Sequence, residues 1–365
     1  MPYLIIGLLA SAVSVARLYV TDNEVFTELV WAEDGLFPLC VANHGYWDCL
    51  WDPYAGYLLF LSRTLAVPVA YTPLDSWPLA TNLVAAISYG AMSVLIYWLL
   101  IRIPLPRVVA AFSALVPLLL PITGLEAINT AGSLYMVLLV AATIAVSANF
   151  QRPLPQWVLP TLLLVSALTI PVTLVLALPL GLRYLRKTIA LRQLVAAMLG
   201  LIIGSVLQFA VIISAAGQRP VRVTSSSVAD WIDGTATAVV GLVGIRMEPI
   251  ATGALNWTDS SFSLPLRLTL TLIPAILGLA MLSRPKLEFP ALLILTGSVL
   301  SAVTAIPSMN SNRYYVTFSV LIVLAVIAAL VQSGRKSLHI TAAVVAGVLA
   351  GLWMSHVPAS SLRGT

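Results

Sequence analysis

Long apolar runs separated by short polar or charged linkers dominate the chain. Runs at 3–20, 77–100, 107–122, 131–149, 157–170, 171–183, 193–215, 264–283, 289–306, 315–332 and 338–355 read as helices. Crossing the hydrocarbon of a bilayer takes about 20 apolar residues, and the runs predict an all-α, polytopic transmembrane helical bundle of about 11 spans. It is expected to form a single transmembrane domain over residues 1–365. The short segments of alternating polarity that mark a transmembrane β-barrel do not recur. The first run has no basic stretch ahead of it and no small-residue cleavage site, so it reads as a retained helix rather than a signal peptide.

One stretch departs from the pattern. Residues 157–183 run from one basic linker to another, too short for two full spans of about 20 residues. Pro171, after Ile170, removes a helix hydrogen bond and disfavours helical backbone before it. A hairpin of two short helices is predicted, buried among neighbours, where irregular backbone at membrane depth is tolerated. The alternative is one kinked helix, which would invert the direction of everything after it.

Composition sharpens this reading. The chain is 60% hydrophobic and 9% charged, with a net charge of +5, and its mean hydropathy is +0.99. Basic residues concentrate in short linkers: Arg102 and Arg107, Arg152, Arg183 to Arg192, Arg284 and Lys286, Arg335 and Lys336. Scattered in this way they report topology, not nucleic-acid binding, and the positive-inside rule places them in the cytoplasm. The N-terminus is then cytoplasmic and the C-terminus outside. Every acidic residue except Glu288 falls on the opposite side. The expected location is the plasma membrane of a bacterial cell. The outer face carries an acidic loop at 21–76 with interfacial helices, and a second loop at 216–263.

The acidic loop holds Asp22, Glu24, Glu28, Glu33, Asp34, Asp48 and Asp52. Residues 23–35 read as a short amphipathic helix, with Phe26, Leu29 and Val30 on one face and Gly35 as its stop. Glu33 and Asp34 would then lie at its C-terminus, where the dipole disfavours negative charge and makes a carboxylate a better proton acceptor. Residues 56–71, with Arg63 and Pro68, predict an interfacial or partly embedded helix, and residues 226–247 look similar. Cys40 and Cys49 share the loop, and in an oxidising compartment they could be bonded or remain two buried thiols. His44 between them does not complete a zinc signature.

Arg63, Arg246 and Arg313 are basic residues on the face where positive charge is disfavoured. They read either as partners of the acids or as grips for a phosphate, whose oxygens a guanidinium matches in bidentate geometry. Glu126 and Asn129 sit at a helix junction on the same face and read as helix caps or substrate contacts. Tyr46, Trp47, Trp51, Tyr54 and Tyr57 suit sugar stacking and an interfacial aromatic belt equally.

Three segments, Trp31-Ala32-Glu33-Asp34-Gly35, Asp52-Pro53-Tyr54-Ala55-Gly56-Tyr57 and Arg313-Tyr314, together with the topology, resemble the GT-C superfamily of polytopic glycosyltransferases. That resemblance implies transfer of a sugar from a polyprenyl-phosphate donor to a cell-envelope glycan or lipid-linked acceptor at an extracytoplasmic site. It implies Asp34 as catalytic base, with Glu33 as partner or substitute, and Arg313, then Arg63 and Arg246, as donor-phosphate ligands. Asp52, Tyr54, Tyr57, Glu126, Asn129 and Tyr314 become candidate substrate contacts. The large soluble C-terminal domain of many members is not recognisable here.

A lipid monophosphate is already a leaving group, so one base and one cation suffice for inverting displacement. No cofactor is expected. Glu33 with Asp34, and Asp48 with Asp52, offer oxygen ligands to a divalent cation, which a monophosphate donor needs less than a diphosphate would. Expected partners are the sugar donor, the glycan or glycolipid acceptor and membrane lipids, with no nucleic acid. The rival class is a transporter or flippase for a lipid-linked or anionic substrate. That reading calls for polar residues along the spans and an internal repeat, and neither stands out.

Overall fold

The computed structural model describes residues 1–21, 32–54, 56–119, 129–215, 232, 235, 264–305 and 316–332. Among them regular structure is helical. The α-helices are α1 (Pro2–Thr21), α2 (Ala32–His44), α3 (Tyr46–Trp51), α4 (Phe60–Ala70), α5 (Trp77–Leu100), α6 (Arg107–Leu119) and α7 (Tyr135–Ser147). They continue with α8 (Val158–Thr169), α9 (Ala177–Leu185), α10 (Leu191–Ser214), α11 (Leu264–Leu282), α12 (Glu288–Ala305) and α13 (Val316–Gln332). Three helical stretches are long and apolar enough to cross a membrane: Leu74–Leu100, Leu191–Ser214 and Pro285–Val303. α1 and α11 also coincide with apolar runs, α6, α7, α8, α9 and α13 are shorter helices on such runs, and the run at 338–355 lies outside the described residues.

Apolar residues on both sides of a helix predict a central position, and α7 takes it: every residue from Tyr135 to Ser147 is buried. Around it the packing alternates in direction. Tyr3 meets Tyr97 edge-on with ring centroids 5.5 Å apart, and Gly7 faces Gly90. Ser14 Oγ donates to Asn129 Oδ1 at 2.8 Å, and Asn129 in turn donates to Asn82. α1 and α5 are therefore antiparallel, their backbones close together at the two glycines. Outward faces remain apolar: Leu199, Ile202, Ile203 and Val206 of α10 are exposed, while Ser205 and Gln208 of the same helix are buried. Polar-in and apolar-out is the arrangement a lipid solvent selects, and it reverses the rule for water-soluble surfaces.

The stretch around Pro171 forms two short helices. α8 ends at Thr169, Ile170 is extended, and a 3-10 turn at Pro171–Leu176 leads into α9. Arg192 Nη2 donates to Gln156 Oε1 at 3.2 Å, Gly200 lies against Pro160, and Gly204 lies against Ala167. α8 and α10 therefore run parallel, and the chain between them must return along the bundle. That favours the hairpin over the single kinked helix.

A Cβ at Gly200 would clash with the Pro160 carbonyl oxygen, whereas nothing lies within 4 Å of one at Gly181. Gly200→Ala is therefore expected to cost about 1–3 kcal/mol by overpacking. Gly181→Ala should be neutral or slightly stabilising, since alanine favours helix. Thermal unfolding of the two purified variants checks the contrast.

The linkers gather the charges at opposite ends. At one end Gln151 N donates to Arg102 O at 2.8 Å, Arg183 Nη1 donates to Val146 O at 2.9 Å, and Arg186 Nε lies 3.3 Å from Glu288 Oε1. Of the other described acids, Asp34, Asp48 and Asp52 belong to α2, α3 and the turn after them, and Asp75 to the turn before α5, at the other end of the bundle.

Candidate functional site

At the acidic end, α2, α3 and α4 form a cap that packs on α5, α8 and the start of the α7 segment. Its first helix corrects one expectation. The helix carrying Glu33 and Asp34 runs through Gly35 to His44, so neither residue lies at its C-terminus. Residues 22–31 lie outside the described set. The dipole argument for a strengthened base, which needs a C-terminus at Gly35, therefore does not hold. Phe37 and Val41, four residues apart, bury one face of α2. That apolar pair extends the helix past the glycine.

Asp34 is 3% exposed. Its Oδ2 accepts the Ala131 N–H at 2.8 Å and its Oδ1 accepts the Gly132 N–H at 2.7 Å. These N–H groups open the 3-10 turn Ala131–Ser133 that leads into α7 and have no partner within it. Ser62 Oγ donates to the Ala131 carbonyl at 2.7 Å, so α2 and α4 hold the same peptide from opposite sides. One residue before Thr130, Asn129 has a φ of 49° and is buried. Its side chain bonds Ser14 and Asn82. The junction thus joins α1, α2, α4, α5 and α7 through polar groups, and Asn129 serves it as a structural hydrogen-bonding residue.

Arg63 is also 3% exposed. Its Nη1 donates to the Cys49 carbonyl at the end of α3, and its Nη2 lies 3.3 Å from Asp52 Oδ2. Its guanidinium carbon lies 5.1 Å from the centre of the Phe37 ring. Burial pushes the guanidinium below the ordinary arginine value, while the charge and hydrogen bond of Asp52 oppose that shift. The arginine read from sequence as a phosphate grip thus pairs with an acid and fastens α3 to α4.

Cys40 and Cys49 are bonded, tying α2 to α3. Closing a loop of this size is worth about 2–3 kcal/mol in the chain-entropy account. Cys40→Ser/Cys49→Ser is expected to lower cap stability by that amount. Proteolysis of the folded protein should then open near 40–52 before the helices of the bundle yield.

The segment after Asp52 turns sharply. Tyr54 N donates to Tyr57 O at 2.9 Å and Tyr57 N to Tyr54 O at 3.1 Å. Gly56 between them has a φ of 82°, a conformation glycine adopts without strain. Tyr54 packs edge-on against Phe37, with centroids 5.4 Å apart. Directly after the turn, Gln208 of α10 pairs with the Leu58 backbone in both directions, accepting at 2.9 Å and donating at 3.2 Å. A cavity of about 440 Å³ opens on the outer side of the cap, lined by Leu36, Leu39, Asn43, His44, Asp48 and Asp52 with Cys40. Asp34 and Arg63 are not among its lining residues.

Asp34, Arg63, Asp52, Tyr54, Tyr57 and Asn129 therefore belong to one end of the bundle. Glu126, Arg246, Arg313 and Tyr314 lie outside the described residues, as does the side chain of Glu33. The helix expected at 226–247 is described only at Ile232 and Thr235. Among the described residues no three His, Cys, Asp or Glu side chains form a ligand set. Sequence reading missed Ser14, Ser62, Asn82 and Gln208 as members of this end. No local pattern marks them, because each bonds a residue far away in the chain. Searches of protein families, curated proteins and solved structures find no match to this chain.

Proposed function

We propose that the chain is a membrane glycosyltransferase of GT-C type, moving a sugar from a polyprenyl-phosphate donor to an envelope glycan or lipid-linked acceptor. The observation that supports it best is the fixed geometry of Asp34. This carboxylate stands on a loop-borne helix at the acidic end, opposite the basic linkers, with its orientation set by two backbone N–H groups. An ionised carboxylate is an acceptor only, and in the proposed reaction Asp34 takes the proton of an acceptor hydroxyl. A base held rigidly by its neighbours loses little in alignment. Asp52 beside Arg63 faces the cavity with His44 and Asp48 and would hold hydroxyls of sugar or acceptor. Arg313 and Arg246 are the proposed partners of the donor phosphate, whose departing charge an arginine offsets. The active face is extracytoplasmic in this reading, and a disulfide in the cap fits an oxidising compartment.

The test is sugar transfer by purified protein from a panel of synthetic polyprenyl-phosphate sugars, comparing wild type with Asp34→Asn and Asp52→Asn. Thermal unfolding of each variant runs alongside. Donor-dependent product lost in folded Asp34→Asn supports the enzyme and its base together. Loss in Asp52→Asn alone moves the base to the cavity. No turnover with any donor, with lipid transport shown in vesicles, replaces the enzyme by the rival transporter.

A further inference from the structure

The basic end has a pocket of its own. A cavity of about 340 Å³ lies between the end of α7, the start of α8, the end of α9 and the start of α10. Its polar lining includes Arg183, Arg192, Gln193, Asn149 and Gln156, and it contains no acidic residue. Leu154, Leu159, Pro160 and Ala196 supply an apolar wall.

Arg183 is the unusual member. It is 6% exposed, and its two terminal nitrogens donate to Val146 O at 2.9 Å and Thr188 O at 3.0 Å. Its Nε is buried without a partner. A buried cation favours an anion beside it. Glu288, a described acid at this end, is engaged by Thr188 Oγ1 and Arg186 Nε. A second feature converges on the same space. α10 starts at Leu191 after Ala190, which gives no side-chain cap, and Ala190, Arg192 and Gln193 at this helix end line the pocket. Helix N-termini of this kind hold anions through free N–H groups and the helix dipole.

We propose that this cavity binds a phosphate group, and that the group is the headgroup of an anionic phospholipid. The apolar wall decides for a lipid over a soluble ion. It continues onto the exposed apolar face of α10 at Leu191, Val195 and Leu199, where a hydrocarbon chain would lie. Basic pockets between membrane helices are suited to such headgroups. The site lies at the end of the bundle opposite Asp34, and it stands whether or not the chain transfers sugars.

The experiment is a titration of the full chain in neutral detergent with phosphatidylglycerol or phosphatidylcholine, read as bound lipid by native mass spectrometry. Phosphatidylglycerol should be retained in preference to phosphatidylcholine. Loss of one charge-assisted hydrogen bond corresponds to about a tenfold weakening. That loss is expected in Arg192→Gln, an exposed position whose replacement does not threaten the fold, and in Arg183→Lys if it folds. Lys286→Gln, on the same face but outside the cavity, should change nothing. Retention indifferent to Arg192→Gln, or reduced equally by Lys286→Gln, overturns the site in favour of a diffuse basic surface. Stabilisation by inorganic phosphate that Arg192→Gln abolishes, with no retention of phosphatidylglycerol, overturns the lipid and leaves a soluble phosphate.

Discussion

Asp34→Ala is expected to be among the most damaging single substitutions in the described part of the chain. It removes the acceptor for two backbone N–H groups, Ala131 and Gly132, at a buried position. A buried donor left unpaired costs about 1–3 kcal/mol, so the pair should cost about 2–6 kcal/mol. Asp34→Asn keeps one acceptor oxygen and turns an amide N–H₂ toward the second donor, for an intermediate loss. Ser62→Ala, which releases only the Ala131 carbonyl, should cost about 1 kcal/mol. Thermal unfolding orders the three, and hydrogen exchange at 131–134 should rise first in the Asp34 variants. The order has a direct bearing on the enzyme assay. Activity lost in Asp34→Asn speaks for proton transfer only when measured below the lowered unfolding transition.

Arg63→Ala should be of similar severity, at about 3–5 kcal/mol. The substitution removes a buried cation's hydrogen bonds and leaves the Cys49 carbonyl and the Phe37 ring beside a cavity. Its partner behaves differently. The Asp52 side chain is 58% exposed, and an ion pair wetted on one side is worth about 1 kcal/mol or less. Asp52→Asn should therefore change the unfolding temperature little. Comparable losses in both variants would show that the ion pair, rather than the Cys49 contact and ring packing, holds α3 against α4. The same asymmetry makes Asp52→Asn the cleaner probe of function, because its effect on turnover is not confounded by unfolding.

What could be read in advance was whatever is written locally. Pro171 after Ile170, between two basic linkers, was enough to predict a broken pair of short helices, and the 3-10 turn at Pro171–Leu176 is that break. The apolar runs located most helices because a membrane-embedded element must be apolar along its length. The end of α2 was misread for an equally local reason. Gly35 looks like a helix stop, but the helix continues because Phe37 and Val41 find buried positions that only the assembled bundle supplies. Arg63 read as a partner of the acids or a grip for phosphate, and the structure gives it Asp52 together with the Cys49 carbonyl, which no local pattern names. Gln208 and Ser14 could not be read at all. Their partners, Leu58 and Asn129, stand 150 and 115 positions away.

The shortness of α8 has a consequence for depth. Twelve helical residues rise about 18 Å, against about 30 Å of hydrocarbon in a typical bilayer. The neighbouring α10, with 24 residues, rises about 36 Å. The top of α8 therefore stops partway along its neighbour, and there Thr169 Oγ1 receives the Leu61 N–H at the start of α4. The cap descends into the step left by the truncated hairpin. In a bilayer this seats the acidic end in a recess below the rim of the longer helices. A molecule tethered in the leaflet could meet it from the side, without first leaving the lipid for water.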